Sequence, residues 1–239
     1  MKRNKLLMIF LFCSYYVFPA EIHLPDGSVY FGETKENLFN GHGTQKWSDG
    51  AFYEGNFTDG KYNGLGVLKN TIYTYEGEFK DGVPHGRGNI SYKNGLSYEG
   101  EFLNGLYEGK GTLIDNFGNS YVGEFHNNEK SGDGFEKLAN GDSYRGSYKN
   151  GLYNGNGIYS CANGDEYIGA FLNGYFDGEG TFTYANGKKL SGKFKQGEFL
   201  AKQNGIKSIP MTVVYKLMIV ILIVLNLYQF LKGRRKSRN

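Results

Sequence analysis

Apolar and polar side chains alternate in short runs through the middle of the chain, between residues 21 and 205. In one run, Tyr98, Gly100 and Phe102 fall on one side of an extended chain, and two glutamates fall on the other. An Asn-Gly pair follows at residues 104–105. Alternating runs that are separated by such pairs are typical of β-hairpins. The pattern therefore predicts a succession of antiparallel strands.

These runs are copies of one repeat. A Tyr-x-Gly sequence recurs every 22 or 23 residues, and numbering each repeat from its tyrosine as zero places 35 of the 37 glycines at +2, +7, +11, +13 or +20. An eighth copy has Leu190 in place of the tyrosine and Ala201 where a glycine is due, which is typical of a capping repeat. The anchoring residues of the other seven are Tyr30 and Gly32, Tyr53 and Gly55, Tyr75 and Gly77, Tyr98 and Gly100, Tyr121 and Gly123, Tyr144 and Gly146, and Tyr167 and Gly169.

The repeat has the length of one hairpin. Where glycine is missing at +7, the residue is Asn37 or Asn128, which predicts a left-handed backbone at that position. The glycine at +2 lies between two aromatic positions, so we expect it to leave room for a ring from the neighbouring strand. Two strands per repeat at about 4.8 Å spacing give a sheet roughly 75 Å long. The predicted fold is all-β, an elongated single-layer antiparallel sheet of tandem hairpins, with a C-terminal transmembrane helix.

Both ends of the chain carry apolar segments with basic flanks. Residues 6–18 are apolar and follow three basic residues, as in a signal peptide; a cleaved signal, an uncleaved anchor and a core segment all remain open. A helix over 210–231 would be about 33 Å long, enough to span a bilayer, and a buried helix is the alternative. The predicted organisation is a signal peptide or anchor at 1–20, the repeat array at 21–205, a linker at 206–209, the transmembrane helix at 210–231 and a basic cytosolic tail at 232–239.

Charge is divided unevenly between these segments. Residues 21–205 carry 17 lysines and arginines against 24 acidic residues, a net charge of −7 that argues against nucleic acid as a partner. The tail 232–239 is basic and has no acidic residue, so the positive-inside rule predicts a single-pass protein with the repeats on the lumenal or extracellular side. Two sequons, at Asn56 and Asn89, are compatible with glycosylation on that side.

The sequence contains no complete motif for catalysis, phosphate binding or metal binding. The Gly-x-Gly sequences lack the third glycine of a dinucleotide site and the Gly-Lys-Ser/Thr of a P-loop, and the four histidines occupy different repeat positions. We therefore predict no catalytic residue, no metal site and no cofactor, and hence no enzyme. Two cysteines exclude a disulfide scaffold. Cys161 is expected to be a packing residue, with a disulfide-linked homodimer as the alternative.

Two surface patterns are candidates for binding. Position +9 is aromatic in five repeats, and these rings are either packed over their own turns or form a ladder that receives an extended partner. Positions +1 and +3 are rich in glutamate and form either a solvated face or a docking surface for a basic partner. The candidate ladder is Phe39, Tyr62, Tyr107, Tyr153 and Phe176, and the acidic positions include Glu33, Glu54, Glu76, Glu78, Glu99, Glu101 and Glu124.

The repeat resembles the MORN repeat family, whose pattern is Tyr-x-Gly-x-aromatic, Asn-Gly, His-Gly-x-Gly and Asp/Asn-Gly. The best match runs from Tyr75-Glu-Gly-Glu-Phe79 through Asp81-Gly82 and His85-Gly86-Arg87-Gly88 to Asn94-Gly95. The resemblance covers about residues 21–205 and implies the hairpin sheet described above. It also suggests two functions. One is a non-catalytic, membrane-anchored scaffold that binds a protein partner; the alternative is a junctophilin-like tether whose repeats bind anionic phospholipid in the cytosol.

Overall fold

The computed structural model describes residues 20–200, which form one antiparallel β-sheet of 17 strands. The all-β prediction is confirmed for this part of the chain. The strands are β1 (Ala20–His23), β2 (Val29–Lys35), β3 (Leu38–Lys46), β4 (Phe52–Thr58), β5 (Lys61–Lys69), β6 (Tyr73–Lys80), β7 (Val83–Tyr92), β8 (Ser97–Leu103), β9 (Leu106–Ile114), β10 (Ser120–His126), β11 (Glu129–Lys137), β12 (Ser143–Lys149), β13 (Leu152–Ser160), β14 (Glu166–Leu172), β15 (Tyr175–Thr183), β16 (Lys189–Lys195) and β17 (Glu198–Leu200).

The predictions for the two ends fall outside the described residues. These are the signal peptide or anchor up to residue 19, the linker at 206–209, the transmembrane helix at 210–231 and the basic tail at 232–239. Between residues 20 and 200, no helix is long and apolar enough to cross a membrane.

Each strand pairs with its neighbours in the chain, so the sheet is built hairpin by hairpin. In the second repeat, β4 pairs with β5 and β5 pairs with β6 of the next repeat. The array is open, because β1 pairs with β2 and β17 with β16 at its two ends. Eight hairpins follow β1, and the last of them, β16–β17, contains Leu190. One repeat therefore corresponds to one hairpin.

The hairpin turns need a left-handed backbone at two consecutive positions. Residues at +6 and +7 both have positive φ, as at Asn104 (51°) and Gly105 (80°), which a type I′ turn requires. Asn37 and Asn128 have φ of 61° and 68°, so the expectation of a left-handed conformation at +7 is confirmed. The turns also join repeats, because the Gly105 amide donates to the Pro84 carbonyl of the preceding repeat at 2.8 Å.

A bulge interrupts the pairing inside each complete hairpin. In the fourth repeat, Gly100 pairs with Gly111 and Glu101 pairs with Glu108, so the second strand carries two extra residues. One of them, Gly109, has a φ of 60°. Because side chains alternate with period two, an insertion of two residues leaves both strands facing the same way on either side of the bulge.

The core consists of tyrosine rings that lie across pairs of facing glycines. A Cβ placed on Gly100 or on Gly111 would lie 2.5 Å from the hydroxyl oxygen of Tyr98. The Tyr98 hydroxyl donates to the Glu101 carbonyl at 2.9 Å, which holds the ring in place. The sequence led us to expect a ring from the neighbouring strand beside Gly100, but the ring there is that of Tyr98, which lies on the same strand.

Edge-to-face contacts connect these tyrosines along the array. The Tyr98 ring centroid lies 5.2 Å from that of Phe102 in its own repeat and 5.0 Å from that of Phe125 in the next. Both contacts are nearly perpendicular, the arrangement that aromatic quadrupoles favour. Each +4 ring therefore packs between two tyrosines, and neighbouring repeats share one aromatic core.

This geometry predicts that even a methyl group is not tolerated at +2. We expect Gly100→Ala to lower the free energy of unfolding by about 1–3 kcal/mol or more, because the added Cβ overlaps the Tyr98 hydroxyl. The control is Gly105→Asn, since a Cβ at Gly105 meets nothing within 4 Å and asparagine tolerates positive φ. Denaturant unfolding of both variants measures the difference. Equal stabilities would contradict the role given to the glycine pair.

Candidate interaction surfaces

The sheet has two faces with different roles. The aromatic face carries the side chains at 0, +4 and +9 and the glycines at +2. Its tyrosines are fully buried, as at Tyr53 and Tyr98. The open face carries the positions between them, chiefly +1, +3, +12 and +14, and most of its side chains are exposed or half-buried. The two candidate binding patterns lie on opposite faces, so each can be judged separately.

The candidate ladder at +9 lies on the aromatic face and is packed. Each ring stacks on the tyrosine of its own repeat; Tyr107 lies 3.8 Å from Tyr98 between centroids, at an angle of 9°. None of the five rings is exposed, and Phe176 is buried. The geometry favours packing over an exposed ladder, because one side of each ring is already occupied. The stacked pairs are Phe39 on Tyr30, Tyr62 on Tyr53, Tyr107 on Tyr98, Tyr153 on Tyr144 and Phe176 on Tyr167.

The fifth repeat replaces the stacked ring with a lysine. The Lys130 ammonium lies 4.9 Å from the Tyr121 ring centroid and forms an ion pair with Glu136. The Glu136 carboxylate accepts hydrogen bonds from the hydroxyls of Tyr148 (3.2 Å) and Tyr153 (3.0 Å). Burial, reinforced by the Glu136 charge, raises the pKa of both tyrosines well above the ordinary value. This paired charge lets a polar group replace a ring in the core without being left unsatisfied.

The open face carries a central row in which residues of successive strands lie opposite one another. Glu54 pairs with Val67 and Val67 with Glu76. Further along, Val122 pairs with Phe135, whose ring lies 4.9 Å from the Arg145 guanidinium. The row changes character along its length. From β3 to β16 its members are Thr44, Glu54, Val67, Glu76, Asn89, Glu99, Thr112, Val122, Phe135, Arg145, Ile158, Ile168, Thr181 and Ser191.

The acidic half of this row lines an open groove. The groove has a volume of about 960 Å³ and extends over the second to fourth repeats. Glu54, Glu76 and Glu99 lie along it, and Arg87 and Lys110 contribute to its wall. The three glutamates are on alternate strands, so about 9.6 Å separates each from the next. The groove therefore holds more glutamates than basic residues, and the three glutamates of the row are regularly spaced.

The glutamates at +3 have a structural role. The Glu78 carboxylate accepts a hydrogen bond from the Arg87 backbone amide at 3.0 Å and lies against Gly86 of the bulge. Glu33 accepts in the same way from the His42 amide at 3.3 Å. The sequence left these positions as either a solvated face or a docking surface for a basic partner. The structure adds a further role, because these carboxylates also stabilise the bulges. The groove is lined by the +1 residues Glu54, Glu76 and Glu99, joined by Glu101 at +3.

Both sequon asparagines lie on the open face and are exposed. Asn89 stands in the central row between Glu76 and Glu99, and Asn56 is the +3 residue of its repeat. Among residues 20–200, no group of three or more His, Cys, Asp or Glu side chains is arranged to hold a metal ion.

Cys161 is half-buried and packs against the aromatic core. Burial, and next the carboxylates of Asp142 and Asp165, raise the pKa of its thiol to about 12. The reactive form of a cysteine is the thiolate, so this environment suppresses both alkylation and disulfide formation. The geometry is that of the packing residue predicted from the sequence.

We expect the Cys161 thiol to react slowly in the folded protein. In a Cys13→Ser chain, alkylation by iodoacetamide at mildly alkaline pH should be at least about thirtyfold slower than in concentrated guanidinium chloride, because few thiols are ionised. The native rate should rise as the pH approaches 12, where the thiol ionises. Fast native labelling, or a disulfide-linked dimer on a non-reducing gel, would contradict this environment.

The stacking at +9 predicts a loss of stability when the rings are removed. We expect Tyr107→Ala and Tyr153→Ala each to lower the free energy of unfolding by about 1–3 kcal/mol, since each ring covers a buried tyrosine. Tyr107→Phe should keep most of the stability, because phenylalanine occupies +9 in two other repeats. Thermal or denaturant unfolding provides the measurement. Unchanged stability in the alanine variants would restore the ladder as a candidate binding site.

Comparison with solved structures finds matches at low identity. One is the SAS-4 (dCPAP) TCP domain of Drosophila melanogaster, solved in complex with a proline-rich motif of Ana2; it is 12% identical, with 81% of this chain and 99% of that chain covered and a TM-score of 0.40. Another is the G-box domain of the microcephaly protein CPAP, 11% identical, with 74% and 99% covered and a TM-score of 0.41. Similarity at this level does not extend to function.

Comparison with family models identifies one family along the repeat array. The model for the MORN repeat matches seven segments, and together they cover more than half of the chain. The predicted count of eight differs by the last hairpin, β16–β17, which carries Leu190 in place of tyrosine and lies at the end of the array. The matched segments are residues 30–52, 53–70, 75–97, 98–116, 121–143, 144–166 and 167–189. The repeat, its hairpin and its paired glycines agree with this match, and the chain belongs to the MORN repeat family.

Proposed function

We propose that this chain is a non-catalytic, membrane-anchored scaffold whose MORN repeats bind a protein partner on the lumenal or extracellular side. The observation that carries the proposal is the division of the sheet into two faces. The aromatic face is used for packing, as shown by the fully buried Tyr53 and Tyr98, whereas the open face presents a continuous row of exposed or half-buried side chains. A long exposed sheet face on a repeat array is suited to an extended partner.

The anchoring part of the proposal is supported by the sequence of the two ends. The apolar run of residues 210–231 is long enough to span a bilayer, and the five basic residues that follow favour the cytosol. The basic N-terminus before residue 6 favours the same side. Both ends therefore support a position of the repeats across the membrane from the cytosol, whether or not the N-terminal segment is cleaved.

The alternative is a junctophilin-like tether that binds anionic phospholipid through its repeats. It is less favoured because the groove on the open face contains Glu54, Glu76 and Glu99, which repel anionic headgroups. Flotation with phosphatidylserine vesicles distinguishes the two. We expect little binding, and any binding should fall steeply as salt is raised to physiological strength. Strong, salt-resistant binding would favour the tether.

We expect deletion of residues 210–239 to release the protein from membranes. The truncated chain should appear in the carbonate-soluble fraction, because the proposed spanning helix has been removed. Deletion of residues 232–239 alone is the matched control and should leave the chain in the membrane pellet. Protease treatment of sealed vesicles should leave the repeats protected. A truncated chain that stays in the pellet would mean either that the N-terminal segment is an uncleaved anchor or that the C-terminal assignment is wrong. Digestion of the repeats in intact vesicles would contradict the proposed orientation.

A further inference from the structure

Apolar side chains lie exposed along the C-terminal half of the central row. The exposed fractions are 54% for Val122, 37% for Ile158 and 49% for Ile168, although all three belong to strands in the middle of the sheet. The core lies on the other face, so packing within the repeat does not explain their apolar character. Half-buried Phe135 and exposed Arg145 stand between Val122 and Ile158, and the Arg145 guanidinium lies over the Phe135 ring. A group of exposed apolar side chains is a mark of an interaction site.

The same row is acidic in its N-terminal half. Glu54, Glu76 and Glu99 occupy it on β4, β6 and β8 and line the groove. A partner that follows the row meets regularly spaced carboxylates first and apolar side chains afterwards. The row runs perpendicular to the strands, so from Glu54 on β4 to Ile168 on β14 it covers ten strand spacings, about 48 Å.

We propose that the central row is a docking track for an extended, polyproline II-type segment of a partner protein. The segment carries a cation at every third residue over the second to fourth repeats and an apolar residue over the fifth and the seventh. This inference rests on the proposed scaffold function and specifies the chemistry of its partner. Glu54, Glu76 and Glu99 receive the cations, and Val122 and Ile168 receive the apolar residues. Between these two, the sixth repeat presents Arg145, so the segment carries no cation there.

The spacing selects the conformation of the segment. A polyproline II helix has three residues per turn and rises about 3.1 Å per residue, so every third side chain points the same way at intervals of about 9.3 Å. This matches the interval of about 9.6 Å between glutamates on alternate strands. In a β-strand, side chains that share one side recur every 6.6–6.8 Å or so, which does not match. An uncharged segment would leave the carboxylates without a partner.

A second copy of this chain does not complement the row. Two rows related by a two-fold axis and aligned head to tail would bring the glutamates of one copy against the apolar half of the other. Two rows aligned head to head would bring carboxylates against carboxylates, and both arrangements are unfavourable. The basic tail at 232–239 is complementary in charge, but the proposed membrane topology separates it from the repeats.

The test uses the full-length chain in detergent, produced in bacteria so that Asn89 carries no glycan. The probe is a fluorescent peptide of three Lys-Pro-Pro units followed by Leu-Pro-Pro, Gln-Pro-Pro and Leu-Pro-Pro, because the fifth unit lies opposite Arg145. A control peptide has the same composition with its three lysines adjacent. Anisotropy should show at least about tenfold tighter binding of the periodic peptide, and its affinity should fall as salt is raised.

Matched variants locate the binding. The combined change Glu54→Gln, Glu76→Gln and Glu99→Gln should weaken binding at least about tenfold. The control changes three turn acids outside the row, Glu36→Gln, Asp59→Asn and Asp81→Asn, which alters the net charge equally, and it should bind as the unmodified chain does. Val122→Thr with Ile168→Thr keeps β-branching and should weaken binding of the same peptide.

Several results would overturn the inference: equal binding of the two peptides, equal weakening by the two triple variants, or no effect of the threonine changes. Tighter binding by the chain lacking residues 232–239 would assign the groove to the chain's own tail instead of a partner. Failure of the peptide assay alone, with the anchor and orientation intact in the membrane experiments, would remove this partner chemistry and leave the scaffold proposal standing.

Discussion

The structure depends on the contact between one tyrosine ring and two glycines that face each other across a hairpin. Tyr98 can lie flat across the strands because neither Gly100 nor Gly111 has a Cβ, and its hydroxyl then reaches the Glu101 carbonyl. A sheet of one layer has no second sheet or helix to cover it, so its core must come from its own side chains. Laying rings down on the backbone solves this problem, and it explains why the glycines recur so strictly.

Much of this arrangement follows from the sequence. Alternation and the Asn-Gly pairs identify the hairpins, and the replacement of glycine by Asn37 and Asn128 identifies the left-handed turn. The position of the ring over the glycines could not be predicted. A glycine at +2 shows that a side chain would not fit there, but it does not show which ring occupies the space. The bulge could not be predicted either, because its two extra residues preserve the alternation of side chains from which strands are recognised.

The sequence alone also does not decide which candidate surface is used for packing and which is open for binding. Aromatic residues at +9 are equally compatible with packing and with binding, and only the stacking of Tyr107 on Tyr98 distinguishes the two. The buried Glu136 was missed, although an acidic residue at a position that is Leu113 in the preceding repeat was a signal. The change from glutamate to apolar residues along the open face was also visible in the sequence. Its significance appears once the register places these residues in one row.

The position of Asn89 has a consequence for how such a surface would be regulated. Its side chain stands in the groove, one strand from Glu76 and one strand from Glu99. Oligosaccharide is added to a sequon during synthesis, before a sheet such as this one is complete. A glycan at Asn89 would therefore occupy the groove permanently, as a cover that the folded protein cannot remove. Chains that escape glycosylation at this one site would form a separate, binding-competent population, so the efficiency of a single sugar transfer would set how many molecules have an accessible groove.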